Sequence, residues 1–346
     1  MTARKKINLA LQGGGAHGAL TWGALDRLLE EETLDFEGIT ATSAGAMNAA
    51  VMKHGLVSGN RETAKAALAA FWTQLAAMGR KSNPLRSWLK AVTPEHSPFK
   101  PSVDPAYLAG EFVSRIFSPY DINPLNLHPL DPLLRDLDFG LVCRSCEPKL
   151  FICATNVRSG KIKVFQGDEI SVEAILASAC LPTLFQAIEI EDPCTKKVEA
   201  YWDGGYIGNP ALFPLFYETK TRDVLIVHIN PIERSDVPTS ASDILNRVNE
   251  ISFNSSLLRE LRAIDFVKRL LEDGHLGPGT MKDVLIHSIR DDATMAALNV
   301  ATKLQPDDAL LNDLFEKGYA AADAFLKAHW GDLNERSSVD LRAMFQ

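Results

Sequence analysis

Ile39–Ala50 reads ITATSAGAMNAA. A β-branched run, Ile39, Thr40 and Thr42, ends at Ser43, and small residues with Gly45 then open a helix. Strand, corner and helix in that order predict a βα unit with the serine at the bend. Two readings of Ser43 fit. It is a nucleophile presented on a sharp strand-to-helix turn, or it is the N-cap of an ordinary helix, a place serine prefers.

Upstream, Ile7–Leu11 (INLAL) is a short apolar run expected as a buried strand, followed by Gly13, Gly14, Gly15 and Gly18. Helical spacing of Leu20, Leu25, Leu28 and Leu29 comes next, and a second strand is expected from Gly38 to Thr42. The helix after Ser43 runs to about Leu56. This β-loop-α-β-turn-α order predicts an α/β fold with a mostly parallel central sheet.

Downstream, Arg61–Gly79 reads as a helix. Prolines crowd 83–138, apart from a helix near Pro105–Phe117, and predict an irregular insertion or lid. Within it Trp88 and Phe99 are expected to be exposed. Lys149–Asn156, Lys161–Gln166, Lys197–Trp202, Asp223–Asn230 and Val284–Ile289 read as strands. Ser171–Cys180, Ser242–Glu272 and Asp307–His329 read as helices. No linker divides the chain, so 1–346 is expected as one domain, with its motifs in 7–230 and a mainly helical region over 242–346.

The composition is that of a protein with a core: 346 residues, 46% hydrophobic and 23% charged. A net charge of −8 argues against nucleic acid as a partner. Five cysteines make no disulfide framework, and the lone Cys143-x-x-Cys146 pair is a weak metal signal, so no metal is expected. Three basic residues precede only a five-residue apolar run, and no run of about 18 apolar residues occurs, so the expected location is cytoplasmic.

Gly13, Gly15 and Gly18 also spell G-x-G-x-x-G, the dinucleotide fingerprint. That fingerprint needs an acid at the end of the second strand, but Asp35 and Glu37 precede the expected strand and Thr42 and Ser43 hold the acid's place. The alternative uses the same loop differently: bare amides of Gly14 and Gly15 at a helix start face an oxyanion, with Ala44 N–H as a further donor. For a base, His228 and His287 lie inside expected strands. Asp203 ends a strand and precedes Gly204 and Gly205, so it can approach the serine directly, although Asp-Gly also marks ordinary turns.

GGG-A-H-G at 13–18, T-S-A-G-A at 42–46 and D-G-G at 203–205 together resemble the patatin-like phospholipases of bacterial type. Ala154-Thr155-Asn156, Ala177-Ser178 with Pro182, and Asn209-Pro210 extend the likeness. The resemblance implies a three-layer α/β/α sandwich and a Ser43–Asp203 dyad without histidine or cofactor. It implies an oxyanion hole from Gly13–Gly15 with Ala44, supported by Gly18, Gly45, Gly204 and Gly205. The implied substrate is a lipid or acyl ester, met at a membrane or micelle surface. Two positions depart from the pattern. Ala41 replaces the first glycine of the elbow, an added methyl expected to strain the turn. His17 stands where many members carry Lys or Arg, which weakens contact with a phosphate head group.

Overall fold

A computed structural model describes residues 4–82 and 118–345, apart from 127, 144–145, 194, 278 and 299. Its strands are β1 (Lys5–Leu11), β2 (Leu34–Ala41), β3 (Lys149–Asn156), β4 (Ile162–Gln166), β5 (Ile188–Glu191), β6 (Val198–Asp203), β7 (Asp223–Val227) and β8 (Leu285–Ile289). They form one eight-stranded sheet in the order β5-β6-β3-β2-β1-β7-β8, with β4 also paired to β3. β3, β2, β1, β7 and β8 are parallel neighbours, and β4, β5 and β6 add antiparallel pairs.

The principal helices are α1 (Ala19–Leu29), α2 (Ala44–Ser58), α3 (Arg61–Ser82), α4 (Val172–Ser178), α5 (Phe213–Glu218), α6 (Ala241–Glu272), α7 (Val300–Lys303), α8 (Asp308–His329) and α9 (Leu341–Phe345). Alternation along the central strands divides them between two cores. Leu9, Leu11, Leu225 and Val227 join a cluster with α1, α2, α3 and α8, through residues such as Leu20, Val51, Leu68 and Leu314. Ala10, Val224 and Ile226 join the opposite cluster with α5, α6 and α9, through Leu215, Leu257, Leu261 and Leu341. Helices therefore cover both faces, giving the expected three layers.

The second strand begins at Leu34 rather than Gly38, so Asp35 and Glu37 lie inside β2, not before it. Both acids are tied down near its start. Asp35 meets Arg4 at 2.8 Å and Arg61 at 3.5 Å, and Glu37 accepts the amides of Lys220 and Thr221, each at 2.7 Å. Paired charges are tolerated where a bare periodicity reading sees a strand breaker. Strand β5 and helix α5 lack a clear pattern and emerge only from the fold. Of the expected insertion 83–138, the described part from 118 forms short helical turns whose Leu133 and Leu134 enter the core. Trp88, Phe99 and the expected Pro105–Phe117 helix lie outside the described residues. Among the described residues no helix is long and apolar enough to cross a membrane.

The register brings two sequence-distant corners together. Phe151 and Ile152 pair with β2 and β4 at once, and Ala154 and Thr155 with β4 and β6 at once, so β2 and β6 succeed each other along one edge of β3. Ala41 pairs with Ile152 and Asp203 with Ala154. The two strands thus run towards each other and end about two residues apart, roughly 7 Å along β3. Residues just beyond Ala41 must meet Asp203.

Buried Asn48 locks the glycine loop to this edge. Its amide donates to Gly18 O at 3.0 Å and its carbonyl accepts Trp72 Nε1–H at 2.9 Å. Asn48→Ala is expected to strand both buried partners and cost about 1–3 kcal/mol, measured by urea denaturation. An unchanged midpoint would show that the pair does not tie loop to helix.

Candidate active site

Ser43 leaves β2 at φ 54° and ψ −122°, a left-handed conformation that a serine adopts only at a cost. Four bonds hold it. Thr42 N–H donates to Leu11 O at 3.2 Å, and Gly45 N–H donates to Thr42 O at 2.8 Å. Thr42 Oγ1 donates to Gly208 O at 2.7 Å, and Ser43 N–H donates to Ser178 Oγ at 2.8 Å. At Gly45 a Cβ would run into the carbonyl of Leu11, so only glycine lets α2 start this close to β1. Ala41 does not distort the turn as expected. Its methyl is fully buried in the core of the sheet while its backbone keeps the pairings to Leu11 and Ile152.

The N-cap alternative for Ser43 fails, because its side chain makes no cap hydrogen bond. That side chain lines one cavity with the carboxyl of Asp203, close enough to favour its ionised form. Asp203 is buried, and its Oδ1 accepts Gly205 N–H at 2.7 Å, closing the Asp-Gly turn. Its backbone is fixed by Asp203 N–H to Cys180 O and Thr155 Oγ1–H to Asp203 O, each at 2.8 Å. Burial pushes the Asp203 carboxyl up to about 7, against the opposing pull of Gly205, Ser43 and Lys303.

The glycine loop faces the same point, with one correction. Gly13 N–H donates to Asn209 Oδ1 at 2.7 Å and is not free for an oxyanion. The amides of Gly14, Gly15 and Ala44 have no protein acceptor among the described residues. Gly15 sits at φ 60° against the carbonyl of Lys303, where a Cβ has no room. Gly18 packs on Ala44, Gly204 on the Cys153 carbonyl and Gly205 on Phe253, so the four supporting glycines all occupy close approaches.

These groups line a cavity of about 420 Å³ together with Met47, Trp72, Leu75, Met78, Leu184 and Phe185. The cavity also holds a cation that sequence patterns do not mark. Lys303, at the end of α7, lines the cavity, donates to Asn230 Oδ1 at 2.8 Å and lies 5.9 Å from the Phe253 ring centroid. No local pattern flags it, since α7 is a single turn far from every motif. His17, by contrast, is buried, bonds Thr302 Oγ1 at 2.7 Å, and is driven down to about 3 by burial and by Lys303. It is neutral at physiological pH. His228 and His287 are buried in and beside the strands, and His287 pairs with Asp223 at 3.0 Å, away from this cavity.

Among solved structures, VipD from Legionella pneumophila is similar at 14% identity and a TM-score of 0.44, over 94% of this chain and 68% of that one. A chain of the heterodimeric ExoU–SpcU complex of the Pseudomonas aeruginosa type III secretion system is similar at 15% identity and a TM-score of 0.30, over 99% of this chain and 75% of that one. A comparison with curated protein sequences gives no significant match. The family model described as patatin-like phospholipase matches residues 9–216, from β1 through the elbow and Asp203 to α5. The chain belongs to the patatin-like phospholipase family.

Proposed function

We propose that the protein is a lipid acyl hydrolase in which Ser43 is the nucleophile and Asp203 the general base. The observation that supports this most is the strained, uncapped Ser43 beside the buried carboxyl of Asp203 in a largely apolar cavity. In this reading Asp203 takes the hydroxyl proton as Ser43 Oγ attacks the ester carbonyl. Charge on the carbonyl oxygen meets the free amides of Gly14, Gly15 and Ala44, near the N-terminus of α2. Asp203 returns the proton to the leaving alcohol, and a water activated the same way releases the fatty acid. The acyl chain lies against Met47, Trp72, Leu75 and Met78. Leu304 lines the cavity and is 44% exposed, so the cavity opens beside apolar surface suited to a membrane or micelle edge.

The dyad is tested by labelling with a fluorophosphonate probe. Wild type should label, Ser43→Ala should not, and Asp203→Asn should label far more slowly. A folded wild type that stays unlabelled would leave a lipid-binding protein without turnover as the reading to pursue.

The base must be ionised to act, and its carboxyl sits at about 7. The acid limb of kcat/KM on a soluble short-chain ester should therefore fall near pH 7. A limb near pH 4 would remove Asp203 from the role.

Stability should move the other way. A buried acid raised from 3.8 to about 7 favours the protonated fold, so ionising it costs stability progressively between those values and fully above them. Asp203→Asn escapes that cost. Its stability advantage over wild type should grow from pH 4 to pH 7 and then level off, as read by denaturant midpoints. A difference that is flat with pH would contradict the raised carboxyl.

A further inference from the structure

Among the described residues, Lys303 is a cation without a counterion in a cavity whose other lining is largely apolar. Its ammonium carries three donors, of which one goes to Asn230 Oδ1. It also lies 5.9 Å from the Phe253 ring centroid. Three charges face it. Glu250 is already neutralised by Arg234 at 2.6 Å and Arg247 at 3.2 Å, Arg234 itself repels Lys303, and Asp203 accepts Gly205 N–H and makes no ion pair among the described residues. Burial lowers the lysine to about 8, so it stays mostly charged at neutral pH. A charge kept in such a place is costly unless an opposite charge arrives with the ligand.

The glycine loop itself supplies no cation to such a ligand, because His17 at its turn is neutral and bonded to Thr302. Lys303 stands on the other side of the same loop, its carbonyl packed on Gly15. It comes from a helix beyond the family-matched residues 9–216.

We infer that Lys303 is the specificity-determining residue of this site, selecting amphiphiles that carry an anionic group, phosphate or carboxylate, close to the ester, in place of a cation on the glycine loop. The inference rests on the hydrolase reading for its substrate but on the cavity alone for its binding. The anion accepts the two spare ammonium donors while the chain occupies the apolar wall. An isolated anion lacks that wall and gains only one half of the site.

Binding tests it without turnover. Decyl phosphate, decan-1-ol and inorganic phosphate, each below its aggregation limit, are titrated calorimetrically into wild type, Lys303→Met and Lys303→Arg. Wild type should prefer decyl phosphate to decan-1-ol, and the ratio of the two affinities should drop about tenfold or more in Lys303→Met and recover in Lys303→Arg. A ratio unmoved by Lys303→Met overturns the assignment. So does inorganic phosphate competing as strongly as decyl phosphate, which would make the site a plain anion site.

Kinetics adds a second arm. Removing Lys303 also lets the Asp203 carboxyl rise, which slows every substrate alike, so the informative quantity is the ratio of kcat/KM for a phosphate-bearing acyl ester over a neutral one. That ratio should fall in Lys303→Met. Equal losses on both esters would assign the lysine to the reaction centre instead and overturn selection of the substrate's charge. Failure of the fluorophosphonate test would sink the hydrolase reading while leaving the calorimetric result to stand or fall by itself.

Discussion

The backbone at Ser43 is the constraint around which the rest is arranged. A serine at φ 54° and ψ −122° costs on the order of 1–3 kcal/mol and persists only where its surroundings over-determine it. Here the surroundings are four separate elements. β1 supplies the Leu11 carbonyl to Thr42, α4 supplies Ser178 to the serine amide, and the segment after Asp203 supplies the Gly208 carbonyl to the Thr42 hydroxyl. Gly45 lets α2 close against the end of β1. Each contact is weak alone, but together they hold the serine in this conformation, with its side chain making no cap bond to the helix it opens.

The proposed dyad has no histidine, which changes the electrostatic problem. A carboxylate in water is too weak a base to draw a proton from a hydroxyl, and burial is the available correction. The register of β6 against β3 puts Asp203 where burial raises it to about 7, and the single bond from Gly205 leaves it an oxygen for the serine. Lys303 opposes the rise. Removal of either charge would shift the other, so the carboxyl, the ammonium and the neutral His17 form one coupled set rather than three independent groups.

Legibility in the sequence depends on how local each signal is. The strand Lys149–Asn156 and the long helix near 242–272 are written in their own periodicity, and their bounds match within a residue. The elbow and Asp203 are legible because a serine at a corner and an aspartate before two glycines are local chemical patterns. Asp35 and Glu37 mislead because acids look foreign to a strand until Arg4, Arg61 and two amides appear beside them. Gly13 misleads differently. Its lack of a side chain is visible, but the Asn209 that takes its amide is 196 residues away. Lys303 carries no local signal, since its meaning arises only when α7 lands on the glycine loop.

The site therefore has two layers of different origin. The groups proposed for bond making, Ser43, Asp203 and the loop amides, all fall within 9–216. The groups that set the charge of the cavity, Asn230, Phe253 and Lys303, all lie after it. They are bound to the first layer through Gln12, whose Oε1 accepts the amides of Ile229 and Asn230 at 2.9 and 3.0 Å, and through Asn230 Nδ2–H to Gly13 O at 2.9 Å. On the proposed reading, a change in the later segment alters which head group is accepted while leaving the strained elbow and Asp203 in register. The strain at Ser43 then fixes the proposed reaction centre, and the cation's arrival from a separate helix leaves its selectivity free to vary.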